Sequence, residues 1–120
     1  MEIKEAIVGY LYADRIKSEL LIASKLLDTL KSIKEGELTG AKKMTISFLE
    51  ALLGELRIAI NVTKSSELSK AEMEIEKAIG GVEMLELMDA SSYIGEALSR
   101  VTTLGNKSMQ VLIENGLIYS

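Results

Sequence analysis

The chain has 120 residues, a net charge of −4 at pH 7, and no cysteine, histidine, proline or tryptophan. Without cysteine and histidine it has no disulfide, no thiolate zinc site, and neither a cysteine nucleophile nor a histidine base. The acidic balance lacks the basic footprint that direct binding of DNA or RNA normally needs, and no run of about 18 apolar residues predicts a membrane span.

Length and composition also bound the organisation of the chain. We expect one domain over residues 1–120, because a chain of this size hides roughly two thirds of its unfolded surface without disulfides. The N-terminal segment carries acids at Glu2, Glu5 and Asp14, unlike a signal or transit peptide, so we expect a cytoplasmic protein. Abundant Leu, Ile, Glu, Lys and Ala with a single Gln lean toward a thermophile, and we expect an archaeal source.

The first predicted helix runs from about residue 2 to residue 34, with Gly36 as the residue that ends it. Its apolar residues alternate at spacings of three and four, which is an unbroken heptad seam. The seam consists of Ala6, Gly9, Ala13, Ile16, Leu20, Ala23, Leu27 and Leu30. The N-terminal third of this helix is apolar on nearly every side, which is typical of an interface. The predicted interface residues are Ile7, Val8, Leu11 and Tyr12.

A turn at residues 36–40 leads into the second predicted helix, from about residue 40 to residue 64. Its seam consists of Thr45, Leu49, Leu52, Leu56, Ala59 and Thr63. A second apolar row, formed by Ile46, Leu53 and Ile60, runs beside that seam. A stripe this wide is typical of a helix that contacts two neighbours in a bundle.

The third and fourth predicted helices run from about residue 69 to 88 and from about 90 to 115. Ser69 and Glu72 match a capping box at the start of the third helix. The third seam consists of Leu68, Ala71, Ile75, Ala78, Val82 and Leu85. The fourth consists of Ala90, Ile94, Ala97, Val101, Leu104, Ser108 and Val111.

The fourth seam is offset from the third by two residues, which is about 200° of helix rotation. We therefore predict a turn between Met88 and Ser92. Two alternatives stay open: one long helix whose halves pack on different partners, and a break at the pair Gly80 and Gly81. Four helices with short connections predict an all-α fold, an antiparallel up-and-down four-helix bundle.

Residues 67–89 carry seven acids against two lysines, so this segment holds the whole surplus of negative charge. Most of these acids lie one position after a seam residue, at the edge of the core. Carboxylates at such spacings bind hard cations such as Mg²⁺. The candidate metal ligands are Glu72, Glu76, Glu83, Glu86 and Asp89. The alternative is an acidic edge held in salt bridges with Arg57, Lys64 or Arg100.

The segment Glu86-Leu-Met-Asp89, with Glu72 and Glu76 upstream, is similar to the acidic helix motifs of the all-α nucleoside triphosphate pyrophosphohydrolases. The resemblance covers fewer than 20 residues. It implies a Mg²⁺-dependent enzyme whose acidic side chains hold the metal.

The preferred hypothesis is a non-enzymatic helical module for protein–protein association, without a cofactor. A homo-oligomer, most simply a dimer, is the expected form, and a different protein partner stays open. Direct contact with nucleic acid or with a membrane is not expected. The alternatives are the Mg²⁺-dependent hydrolase and a nucleoprotein subunit that reaches RNA only through its partners.

Overall fold

A computed structural model describes residues 1–118 and contains four α-helices that alternate in direction. They are α1 (Ile3–Leu30), α2 (Glu35–Thr63), α3 (Ser66–Glu83) and α4 (Leu87–Glu114). Helix α1 packs against α2 and α4, and α3 packs against the same two helices. The bundle is elongated, with extents of 55 × 26 × 18 Å. The predicted all-α four-helix bundle is therefore confirmed.

The predicted seams form the core of the bundle. Every seam residue of α1 is buried, and the other three seams are buried except near their C-terminal ends. Small residues bring α4 close to its neighbours: a Cβ on Gly81 would lie 3.1 Å from the Cβ of Ala90, and one on Gly9 would lie 2.6 Å from Ser108 Oγ. The backbone of α4 therefore approaches α1 and α3 more closely than α2 approaches its own neighbours.

The connection between α1 and α2 is residues 31–34, so the predicted turn and its helix boundaries were wrong. Gly36 and Gly40 both lie inside α2. The neighbouring side chains explain the difference, because Ile33 and Leu38 occupy the two positions of a hydrophobic staple. Both of these residues are partly buried against the core, and this burial outweighs the preference of the glycines for a turn.

Helix α3 begins three residues before the predicted start. Ser65 is its N-cap, and the Ser65 hydroxyl accepts a hydrogen bond of 3.3 Å from the N–H of Leu68. The predicted capping box of Ser69 and Glu72 is therefore wrong, since both residues lie beyond the first helical position. Of the three serines in this stretch, Ser65, Ser66 and Ser69, only Ser65 is the N-cap. The residue whose N–H it accepts from, Leu68, is fixed in position because its side chain is buried in the core.

The two core faces are joined by a turn at residues 84–86, about five residues before the predicted turn at Met88–Ser92. Leu85 has a φ of +57°. The N–H of Glu86 donates to the carbonyl of Gly81 at 2.8 Å, and the N–H of Leu85 donates to the carbonyl of Val82 at 3.1 Å. This is a Schellman motif with leucine at the position that glycine usually occupies.

The left-handed conformation costs a residue other than glycine about 1–2 kcal/mol. Leucine is therefore rarely found in such a turn, and the amino-acid sequence did not indicate a turn at this position. Gly80 and Gly81 are both helical, so the alternative of a break at this pair is wrong. The alternative of one continuous helix through residues 84–86 is also wrong.

Candidate association surface and candidate metal ligands

One surface of the bundle, which we name the α1/α2 face, is formed by the residues that immediately precede the seam residues of α1 and α2. A residue one position before a seam residue lies about 100° round the helix from that seam residue. Because α1 and α2 are antiparallel, the row of such residues on α1 lies beside the corresponding row on α2, on the same side of the bundle. The α1/α2 face consists of Glu5, Val8, Tyr12, Arg15, Glu19, Ile22, Leu26 and Thr29 of α1 and Met44, Phe48, Ala51, Glu55, Ile58 and Val62 of α2.

One end of the α1/α2 face is an apolar groove of about 430 Å³. Ile22 and Leu26 line it from α1, and Met44 and Phe48 line it from α2. Met44 is 77% exposed and Ile22 is 51% exposed. No charged side chain lines this groove, so large apolar groups face solvent without a covering element.

Three of the four predicted interface residues line a groove at the other end of the α1/α2 face. Val8, Leu11 and Tyr12 line a second groove of about 430 Å³, together with Val62 of α2. Ile7 is exposed but does not line that groove. Surplus apolar surface on the second helix also supported the expected association, but the sequence analysis named no interface residue there. The missed signal is that most residues preceding both seams are apolar at the same spacing of three and four.

Three charged residues interrupt the α1/α2 face between its two apolar ends. Arg15 donates from Nε to a carboxylate oxygen of Glu19 at 3.3 Å, and its guanidinium also bonds Glu55. Burial raises the pKa of Glu19 to about 7, and the adjacent Glu55 carboxylate contributes to the rise while Arg15 opposes it. One cation thus serves two carboxylates, so the cluster has a net charge of −1 when both are ionised.

The corresponding surface of the other helix pair, which we name the α3/α4 face, has the opposite chemistry. It consists of Glu67, Lys70, Glu74, Lys77 and Gly81 of α3, Met84 directly after α3, and Asp89, Tyr93, Glu96, Arg100, Thr103, Lys107 and Gln110 of α4.

Ion pairs cross the groove of the α3/α4 face. Lys107 lies 3.5 Å from Glu67, and Arg100 lies 4.0 Å from Glu74. Burial raises the pKa of Glu74, as does the nearby Glu96 carboxylate. These charged groups leave the α3/α4 face without a continuous apolar surface.

The five predicted metal ligands are distributed along the edge of α3 and across the following turn. Glu72 and Glu76 bond Arg57 of α2 at 2.8 and 3.1 Å, as the salt-bridge alternative predicted. Glu83, Glu86 and Asp89 are exposed. Within residues 1–118 no three acidic side chains are grouped so that they could hold a metal ion. Cation binding by these carboxylates stays a prediction, tested by the magnesium experiment below.

Comparison of the chain with protein-family models, with curated proteins and with solved structures finds no match. Among the helices of residues 1–118, none combines the length and the apolar character required to cross a membrane. The candidate surfaces are therefore compared on their geometry and chemistry.

Proposed function

We propose that this chain is a non-enzymatic protein-association module that forms a homo-oligomer, most simply a dimer, through the α1/α2 face. The observation that carries the proposal is the run of exposed apolar side chains along this face. Ile22, Met44, Ile58 and Val62 of this face are each more than half exposed, as is Leu11 beside it. The apolar surface is contiguous at each of the two ends of the face, and contiguous apolar patches mark association surfaces far more often than scattered single residues do.

The size of the α1/α2 face supports the proposal. The row from residue 8 to residue 29 is about 32 Å long at 1.5 Å per residue, and two adjacent helices are about 20 Å wide. Their product is about 600 Å² for each copy, which reaches the lower bound of about 1,200 Å² in total for a specific interface.

Sedimentation equilibrium at tens of micromolar protein tests the proposal. We expect the mass of a dimer for the unsubstituted chain and that of a monomer for Ile58→Glu, because association would bury an unpaired carboxylate. A monomer for the unsubstituted chain contradicts the proposed function.

Met73→Glu is the matched control for Ile58→Glu. Met73 is 58% exposed on α3 and Ile58 is 57% exposed on α2, so the two variants add the same charge at equal exposure on different helices. We expect Met73→Glu to stay dimeric with unchanged helicity by circular dichroism. Equal dissociation of both variants contradicts the assignment of association to the α1/α2 face.

A further inference from the structure

The charged cluster of the α1/α2 face, formed by Arg15, Glu19 and Glu55, lies between the two apolar grooves. Tyr12 and Arg15 line the groove at one end and Ile22 lines the groove at the other end, so Glu19 lies between these residues on α1. A partner that covers both grooves therefore also covers the cluster. The side chains of Glu19 and Glu55 are 21% and 33% exposed, and association through this face removes water that still surrounds their carboxylates.

The residues of the α1/α2 face do not supply a cation for each carboxylate. Among them, all within the described part of the chain, Arg15 is the only cation, against the carboxylates of Glu5, Glu19 and Glu55. A second copy that associates through the same face has the same excess of acid, so each copy buries a cluster of net charge −1. Burial of an ionised carboxylate without a full partner is costly, and such a group becomes neutral by taking up a proton.

The charged groups that act on Glu19 come from α1 and α2. Burial raises the pKa of Glu19 to about 7, the Glu55 carboxylate of α2 adds to the rise, and Arg15 of α1 opposes it. Helix α4 also packs against α1, but its titratable side chains within residues 1–118 lie on the α3/α4 face, except for Glu114 at its C-terminal end. Glu19 therefore titrates with one guanidinium and one carboxylate as its charged neighbours.

We propose, on the basis of the proposed function, that the dimer formed through the α1/α2 face is regulated by pH, with Glu19 as the group that takes up a proton when two copies associate. Protonation of Glu19 leaves the Glu55 carboxylate beside Arg15, so the cluster is neutral when the face is covered. Covering the cluster is sufficient for this effect, whatever the relative orientation of the two copies.

The direction of the pH effect follows from the pKa of Glu19 in the free chain and in the dimer. Removal of the remaining water disfavours the ionised carboxylate, so association raises this pKa above its value of about 7 in the free chain. The contribution of the proton to association is therefore fully present below about pH 7 and is lost as pH rises through the higher pKa of the dimer.

Sedimentation equilibrium of the unsubstituted chain at pH 6 and at pH 8 measures this effect. We expect the dissociation constant of the dimer to be about tenfold or more higher at pH 8, because each copy takes up a proton and each proton contributes up to about tenfold per pH unit. Equal ionic strength at the two pH values keeps the screening of the other charges the same.

Glu19→Gln tests the assignment to Glu19, because glutamine has the size of a protonated glutamate and does not titrate. We expect this variant to be dimeric at both pH values, with dissociation constants within about twofold of each other. Glu74→Gln is the matched control, since it removes a buried carboxylate of raised pKa from the α3/α4 face. We expect Glu74→Gln to keep the pH dependence of the unsubstituted chain, with the helicity of both variants checked by circular dichroism.

Arg15→Gln changes the charge of the cluster in the opposite direction. With both carboxylates ionised, its cluster has a net charge of −2, because the cation that bonds Glu19 and Glu55 is absent. We expect its dissociation constant at pH 8 to exceed that of the unsubstituted chain by about tenfold or more, since the carboxylates are left without a partner in the interface. An unchanged dissociation constant at pH 8 would show that the dimer does not bury the cluster, which overturns the inference.

The outcomes separate this inference from the proposed function. A monomer at both pH values overturns the two together. A dimer whose dissociation constant is the same at pH 6 and pH 8 overturns the regulation by pH and keeps the proposed function. Persistence of the pH dependence in Glu19→Gln, or its loss in Glu74→Gln, overturns the assignment to Glu19.

Discussion

The α1/α2 face and the α3/α4 face occupy equivalent positions on two antiparallel helix pairs, yet one is apolar and the other is charged. Both consist of residues that precede a seam residue. On α3 and α4 these residues form ion pairs across the groove, as Arg100 and Glu74 do. On α1 and α2 most of them are apolar, as Ile22 and Met44 are, and the charged residues Arg15, Glu19 and Glu55 form one cluster. The row of residues beside each seam thus determines which surface of the bundle is covered by ion pairs and which surface exposes apolar side chains.

Helix separation accompanies this difference in chemistry. Gly81 and Ala90 let α3 and α4 approach until their backbones nearly touch, and charged side chains then reach across the narrow boundary. Leu26 and Phe48 are partly buried between α1 and α2, and an apolar groove remains between them. Close packing by small residues and an open apolar groove are therefore features of different helix pairs in one bundle.

The largest expected effect tests the close approach of α3 and α4. A Cβ on Gly81 would lie 3.3 Å from backbone atoms of Ala90, whereas one on Gly80 would meet nothing within 4 Å. We expect Gly81→Leu to lower the free energy of unfolding by about 3 kcal/mol, because backbone cannot yield as a side chain can. Urea unfolding measures the loss.

Gly80→Leu is the adjacent control for Gly81→Leu. We expect it to leave stability unchanged or to raise it by up to about 1 kcal/mol through its better helix propensity. Similar losses in both variants would show that helix propensity, and not the approach to α4, sets the cost.

A smaller effect is expected from the charged cluster of the α1/α2 face. The pKa of Glu19 rises from 4.5 to about 7 on folding, so the folded chain binds the proton more tightly. Stability contributed by this proton is present below pH 4.5 and is lost as pH rises to about 7. We expect Glu19→Gln to become more stable than the unsubstituted chain by about 1 kcal/mol at pH 8, with no difference at pH 4.

Thermal unfolding at submicromolar protein, where association is weak, checks the Glu19 prediction. The difference between variant and unsubstituted chain isolates this one carboxylate from the other titrating groups. A difference that stays constant between pH 4 and pH 8 would show that the pKa of Glu19 does not change on folding.

The α3/α4 face provides the corresponding test. Burial raises the pKa of Glu74, and Glu96 adds to the rise while Lys77 and Arg100 oppose it. The sign is the same as for Glu19: stability is lost as pH rises above the ordinary range of glutamate. We expect Glu74→Gln to become more stable relative to the unsubstituted chain as pH rises from 4 to 8, by less than Glu19→Gln does. Denaturant titrations at several pH values measure it.

The smallest expected effect concerns the predicted metal ligands. We expect millimolar Mg²⁺ to raise the melting temperature by less than about 1 °C, because a bound ion would stabilise the folded state by mass action. A rise of several degrees that disappears in the double variant Glu86→Gln with Asp89→Asn would support the Mg²⁺-dependent alternative over the association module.

Sequence analysis predicted the helices and their buried seams far better than the connections. The seam of α1 matches its buried residues one for one, because a heptad pattern over 28 residues has one consistent core face. The turns were misplaced where a residue outside the usual set formed them. Leu85 adopts the left-handed conformation, and Ile33 and Leu38 pack on the core where a glycine turn was predicted.

The candidate surface was only half predictable for a related reason. Val8, Leu11 and Tyr12 are contiguous on one helix, so local composition identified them. Ile58 and Val62 join them only because α2 folds back antiparallel to α1. The acidic edge of α3 was misleading for the same reason. Its segment carries surplus negative charge in the sequence, but Arg57 of α2, which is distant in sequence, bonds Glu72 and Glu76 and offsets part of that charge.

The amino-acid sequence by itself determined the number of helices and the face that each one buries. Those properties depend on the period of apolar residues along one chain segment. Only the tertiary structure decided which flanking rows meet and which stay uncovered. That choice depends on how closely neighbouring helices approach, and this in turn depends on small residues such as Gly81 fitting against a particular partner.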